Sequence, residues 1–294
     1  MTQLTTLERQ GFGATQRRDA WWVGPALTFA GLSTFLIYGT WAAFQGDGFE
    51  IRKDRANFHK PDNKVVAPYL SPFYAPLIYD PQSPHAWFTS GKPTWWPAFL
   101  PLTPALLILP FPGLFRFTCY YYRKAYYRAF WADPPACAVG EPRKTYWGEN
   151  RLPLILQNLH RYFMYIALIF LALLTWDALL AFWWPTLDAS GNPTGGHQFG
   201  IGLGTLIMVA NVICLAAFTF GCNSVRHLVG GRLKCFSCTG RTGETNLGYK
   251  MWRCSTALNE KHMEWAWVSL FVVGFTDLYI RLCAMGVWSD WRII

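Results

Sequence analysis

Charge is scarce in this chain. Asp, Glu, Lys and Arg make up only 15% of its 294 residues, against roughly 25% in soluble domains, and that shortage argues against an ordinary cytosolic globule. Between Arg161 and Arg226 there is no lysine or arginine at all. A second cysteine pair at zinc-ribbon distance from Cys235-Phe-Ser-Cys238 is missing, so the C-x-x-C alone carries little weight as a zinc site. The first 20 residues lack the basic, apolar, small-residue order of a cleaved signal peptide, and Trp21 onward reads as the first retained span.

What is abundant is apolar and aromatic. Hydrophobic residues reach 52%, with 16 Trp, 14 Tyr and 22 Phe, a composition that suits a bilayer protein with interfacial aromatic girdles and excludes disorder and collagen-like repeats. A net charge of +9 would ordinarily raise nucleic acid as a partner. Here the basic residues lie beside hydrophobic runs, where membrane topology explains them, and no nucleic-acid partner is expected.

A crossing helix needs about 20 mainly apolar residues, and five stretches qualify, at 21–44, 98–118, 155–184, 199–225 and 262–288. Gly46, Pro97, Pro153, Pro185 and Gly230-Gly231 lie near their ends as breakers. The second stretch holds Pro101, Pro104, Pro110 and Pro112 and should be kinked or partly unwound. Segments 116–151 and 226–261 carry seven basic residues each and are therefore assigned to the cytoplasm. The expected fold is all-α: a single polytopic membrane domain over 1–294, with five transmembrane helices and a cytoplasmic N-terminus. The loop 46–97 is then external, and too long for a mere connection, so it should pack across the outer helix ends.

Under this topology Cys119, Cys137, His160, Cys222, His227 and His262 gather at one membrane depth on the cytoplasmic side. Cytoplasmic cysteines are seldom disulfides, which leaves metal binding or plain burial. Thiolates plus imidazoles at one depth suit an iron–sulfur cluster, and one haem b near that face, bound by two of His160, His227 and His262, is the alternative. Cys214 and Cys283, inside apolar stretches, read as small buried hydrophobes.

Segment 119–131 continues a helical phase, with Arg123, Tyr127 and Trp131 at i, i+4 and i+8. Two readings stand for it, an interfacial lipid anchor and a docking surface for a soluble partner. Asp177 and Asp277 are acids inside apolar stretches and hence candidates for a proton path. Arg281, one turn beyond Asp277, offers an ion pair as the structural alternative.

The runs Cys119 to Trp131, Pro134-Pro-Ala-Cys-Ala-Val139, Leu154-Ile-Leu-Gln-Asn-Leu-His-Arg-Tyr-Phe163, Gly221-Cys-Asn-Ser-Val-Arg-His-Leu-Val-Gly-Gly231 and Asn259-Glu-Lys-His-Met263 together resemble the five-span membrane anchor of mycobacterial-type succinate dehydrogenases. The similarity runs from about residue 100 to the end; the N-terminal third matches mainly in its span and long loop. The resemblance implies a multi-pass subunit of respiratory complex II in the cytoplasmic membrane, partnered by an FAD flavoprotein and an iron–sulfur subunit. It also implies electron delivery to quinone, menaquinone foremost, a Rieske-type [2Fe-2S] cluster in the membrane region without haem, and a trimer of heterotrimers.

The chain has no C-x-H and C-x-x-H pair of the usual Rieske kind, so its ligands must converge from several helices. His160 and His227 are the expected nitrogen ligands and Cys119 and Cys137 the expected sulfur ligands, with Cys222 and His262 in reserve. For the quinone headgroup, Tyr127, Arg161, Tyr162 and Trp265 offer donors beside aromatic surface. No flavin or dicarboxylate motif is present, so the chain is not expected to oxidise succinate alone. A non-redox transporter or assembly factor is the rival of another class, and the absence of inverted repeats speaks against transport.

Overall fold

The structure, a computed structural model, describes residues 11–51, 67–80, 83, 85–88, 97, 99, 103–143, 150–152, 154–189, 193–230 and 247–294. Cys235 and Cys238 lie outside the described residues.

Four helices among the described residues are long and apolar enough to cross a membrane: α1 (Val23–Gln45), α5 (His160–Leu180), α6 (Leu203–Phe220) and α9 (His262–Ala284). At 1.5 Å per residue, the 23-residue α1 and α9 each reach about 35 Å, enough for a hydrocarbon core of about 30 Å. A 3-10 turn, Leu154–Leu159, leads into α5. Helix α1 buries only Ala42 and Ala43, while half of α9 is buried.

The proline-rich second stretch is broken as its sequence demands. Helix α2 (Pro104–Ile108) and helix α3 (Pro110–Phe117) meet at Leu109, each with proline in its first turn. Pro110 and Pro112 have no N–H, so the carbonyls of Leu106 and Ile108 lose their helical partners there. A groove lined by Gly39, Leu106, Pro110 and Arg116 lies between this broken stretch and α1.

Chain direction alternates. The ends of α3 and α6 meet the starts of α5 and α9 at one end of the bundle, joined by α4 (Tyr120–Tyr126), α7 (Asn223–Val229) and α8 (Leu247–Glu260). The N-terminal segment reaches the same end, where Gly13 N donates to Gly140 O and Gly140 N to Ala14 O. The opposite end is capped by two antiparallel hairpins, β1 (Glu50–Ile51) with β2 (Ala67–Leu70), and β3 (Trp183–Leu187) with β4 (Pro193–Phe199).

Residues 67–80 of the long first loop are packed against the helices, burying Tyr69, Phe73 and Tyr74. Two polar latches hold it there. Asp277 accepts from Arg281 Nε at 2.7 Å, from Tyr38 at 2.5 Å and from Ser71, while Arg281 donates to the carbonyls of Asp47 and Ala42. Asp290 accepts from Tyr69, Tyr279 and the Gly204 amide, which ties the C-terminal segment to β2 and α6.

Several element bounds differ from the hydropathy reading. The third stretch, expected to reach 184, ends as helix at Leu180, and Trp183 and Trp184 enter β3. The fourth, expected over 199–225, is helical only over Leu203–Phe220, because Cys222 adopts an extended backbone before α7. The segment 119–131 is not one regular α-helix. After α4 it continues as a π-helical turn, Tyr127–Trp131, and Tyr122, Tyr126 and Tyr127 are buried in the same cluster as Cys119 and Cys222. Their apolar ring surface outweighs the pull of the neighbouring basic groups toward water.

Candidate functional site

Cys119 and Cys222 occupy equivalent local positions. Each is the extended residue just before a short helix, with ψ of 131° and 135° respectively. An extended residue leaves the side-chain rows of the flanking helices, and each thiol here reaches a histidine that opens a spanning helix. Cys119 Sγ lies 3.6 Å from His262 Nε2, and Cys222 Sγ lies 3.1 Å from His160 Nε2. The two pairs are within electrostatic range of each other, Cys222 acting on Cys119 and His160 on His262.

The surroundings orient both rings. Phe115 stacks on His160 with centroids 4.9 Å apart, and Phe218 stacks on His262 at 4.9 Å. Thr118 Oγ1 donates to Leu114 O at 2.8 Å, so its lone pair receives His160 Nδ1–H at 2.9 Å. That tautomer leaves the lone pair of Nε2 directed at the thiol, the arrangement a metal-binding imidazole needs.

His262 fits closely beside Gly221. A Cβ at 221 would stand 3.1 Å from His262 Nδ1 and 2.8 Å from Ala217 O. The Gly221 carbonyl also accepts from Asn259 Nδ2 at 2.7 Å. The two sequence motifs Gly221 to His227 and Asn259 to Met263 are thus two halves of one contact.

Donor chemistry tests whether a metal group suits this place. Cys119, Cys222 and His262 are each 2% exposed or less, and burial pushes the Cys119 thiol up to about 11. Such a thiol becomes a thiolate only when a metal compensates its charge. His262 Nδ1 is buried without a hydrogen-bond partner among the described residues. No group of three or more His, Cys, Asp or Glu side chains there is arranged around a single metal position. The four side chains are therefore a poor mononuclear site; in kind and number, two thiols and two imidazoles, they match the donors of a two-iron group that takes two histidines on one iron and two cysteines on the other.

The remaining candidates fall elsewhere. His227 is exposed, its Nδ1 accepting from Arg161 Nη2 at 2.9 Å. Cys137 is exposed too, and its carbonyl accepts from Arg17. Neither joins the four converging groups, whereas Cys222 and His262 do. Among the residues selected for quinone, Tyr127 is buried in the core cluster and Trp265 packs against it, but Arg161 is exposed and Tyr162 is 65% exposed. Asp277 is spent on its latch with Arg281, as the ion-pair alternative anticipated. Asp177 buries Oδ2 with no hydrogen-bond partner among the described residues.

Two contributors escape the sequence reading, Thr118 and Arg116. Thr118 gives no signal in isolation, since its role depends on a ring 42 positions away. Arg116 does give one, as a cation closing an apolar run, but it is absorbed there into the count of basic loop residues. Its guanidinium lies 4.7 Å from the Phe218 ring centroid. Nη1 donates to Tyr122 OH and Ala266 O, and Nη2 to Ser269 Oγ.

Comparison with known proteins agrees with this architecture. The family model described as actinobacterial succinate dehydrogenase subunit SdhC matches residues 23–286. A chain of the Mycobacterium smegmatis Sdh1 complex in the apo form is similar in structure, with a TM-score of 0.76 and 41% sequence identity, over 99% of this chain and 98% of that one. No curated protein sequence matches. The chain is a helical membrane subunit of a succinate dehydrogenase complex and belongs to the actinobacterial SdhC family.

Proposed function

We propose that this subunit delivers electrons from a docked iron–sulfur subunit to a membrane quinone, with Cys119, Cys222, His160 and His262 holding a Rieske-type [2Fe-2S] cluster. The observation that carries the reading is the convergence of two buried Cys–His pairs at one end of the bundle. Bound there, such a cluster supplies one-electron transfer at about −150 to +300 mV, a span useful for reducing quinone. Two thiols together with two imidazoles make up the donor set of a Rieske-type group, whose histidines serve one iron and whose cysteines serve the other, whereas a bis-histidine haem would leave both thiols unused.

The chain's own residues do the positioning. Thr118 holds the His160 tautomer, Phe115 and Phe218 fix the two rings, and the surrounding apolar cluster excludes water and lowers the local dielectric. The flavoprotein with FAD and the iron–sulfur subunit would dock at the same end, which we place at the cytoplasmic face of the cell membrane from the basic segments. Menaquinone is the proposed acceptor and a trimer of heterotrimers the proposed assembly, both on family resemblance.

Low-temperature EPR of the purified complex, poised so that low-potential all-cysteine clusters stay oxidised, tests this. A signal of low average g in the wild type, lost in Cys222→Ala and His262→Ala and kept in Cys137→Ala and His227→Ala, is the expected result. A wild type with no such signal, or a Soret band in its place, overturns the cluster assignment.

A further inference from the structure

The chain that ends α3 serves the Cys–His end of the bundle at four neighbouring positions. Phe115 stacks on His160, Thr118 accepts its Nδ1–H, Cys119 supplies a thiol, and Arg116 stands over Phe218, the ring that stacks on His262. The guanidinium carbon lies 4.7 Å from the Phe218 centroid, and that centroid lies 4.9 Å from the centre of the imidazole. A unit positive charge is thereby held within about 10 Å of the His262 ring, with one aromatic ring in contact with both.

Among the described residues nothing cancels that charge. The three groups to which Arg116 donates, Tyr122 OH, Ala266 O and Ser269 Oγ, are all neutral, and the ion pairs there join other arginines. Hydrogen bonds of this kind fix the position of the charge without compensating it. A tie between α3 and α9 would be served by a neutral donor, whereas a cation held at membrane depth is costly and is a functional candidate by default. Its field reaches Cys119 and His262, one side chain of each kind, and at Cys119 it favours the thiolate.

We propose that Arg116 sets the reduction potential of the group that Cys119, Cys222, His160 and His262 hold, its fixed positive charge stabilising the reduced form. This rests on the cluster reading above and goes beyond it by naming the residue that tunes the electron's resting place. One electron from the iron–sulfur subunit resides among the four ligands and leaves toward quinone, so the charge there falls by one and returns. Arg116 stays protonated throughout, as a guanidinium does at any ordinary pH. Net charge and outer-shell groups are the levers by which a protein moves such a potential. By Coulomb's law a unit charge about 10 Å away, at an effective dielectric constant of about 20, favours the added electron roughly tenfold in equilibrium constant. For a one-electron couple that is about 59 mV.

The experiment is a redox titration of the assembled complex followed by EPR, comparing wild type with Arg116→Gln, Arg116→Lys and Ser269→Asp. Succinate oxidation with a soluble dye acceptor checks that each variant assembles. Ser269→Asp sets a carboxylate against Nη2 of Arg116, which donates to Ser269 Oγ at 2.9 Å, and so cancels the charge with the arginine in place. Arg116→Gln and Ser269→Asp should keep the wild-type line shape with electron affinity about tenfold weaker, a midpoint lower by about 59 mV. Arg116→Lys should stay near wild type. A midpoint unmoved in whichever of the two charge-cancelling variants assembles overturns the proposal. An Arg116→Lys midpoint as low as that of Arg116→Gln also overturns it, because shape and not charge then sets the value. Quinone reduction that slows at an unmoved midpoint does the same, since the arginine then acts on the acceptor. Failure of the cluster reading shows separately, in a wild type with no signal of low average g to titrate.

Discussion

Thr118 and His160 set each other's hydrogen-bonding state. The hydroxyl proton of Thr118 is committed to Leu114 O, so Thr118 can only accept from His160 Nδ1, at 2.9 Å. The ring is thereby presented to Cys222 through Nε2, 3.1 Å from the sulfur. Thr118→Val removes the acceptor while keeping shape, and outer-shell partners of this kind are worth about 10–100-fold in metal affinity. The expected result is a complex that assembles with a depleted iron content and a weakened EPR signal, with Thr118→Ser close to wild type. Full iron occupancy in Thr118→Val would show that the stacking on Phe115 suffices.

Gly221 should tolerate no side chain. Its Cβ would stand 2.8 Å from Ala217 O and 3.1 Å from His262 Nδ1, and overpacking of a rigid backbone contact costs roughly 1–3 kcal/mol. Gly221→Ala is expected to lower the thermal midpoint of the complex and to perturb the EPR line shape in the same sample. A lowered midpoint with an unaltered line shape would mean that the α6–α9 contact yields and His262 stays in place.

The Asp277–Arg281 pair predicts a structural phenotype. Both side chains are buried, and breaking such a pair by removing one partner costs about 3–5 kcal/mol. Asp277→Ala should lose much of its folded yield, and the double variant Asp277→Leu with Arg281→Met should regain part, because no buried charge is left alone. The quinone-reduction rate per folded complex should stay near wild type in both. A rate that falls without loss of thermal stability would restore Asp277 to a proton path.

Thiol reactivity should divide by burial. At pH 8 a thiol raised to about 11, as burial raises Cys119, is about 0.1% thiolate. In the cluster-free chain, maleimide at pH 8 should label exposed Cys137 and Cys254 at least tenfold faster than buried Cys119, whose labelling should rise as the pH approaches 11. Equal labelling rates would mean that the site opens when the cluster is lost.

The spans were legible because each is a local property of composition: long apolar runs ended by Gly46, Pro153 or Gly230, with basic segments at alternate turns. The same holds for the break in the second span, which follows from the missing N–H groups of Pro110 and Pro112. The candidate site was legible only as a depth. Counting turns from a helix end places Cys119, His160, Cys222 and His262 at one level, but it places His227 and Cys137 there equally well.

Rotation about the helix axes separates these residues, and packing sets that rotation. Cys222 turns inward because the chain leaves the helix at Gly221, whereas His227, five residues on, follows α7 round to the surface and meets Arg161. The sequence alone thus determined that this is a membrane protein with alternating spans and that six of its cysteines and histidines fall at one level. Which four of them face one another, and that Arg116 rather than Arg161 faces a cavity, was decided by tertiary structure, because both depend on side-chain direction across helices far apart in sequence.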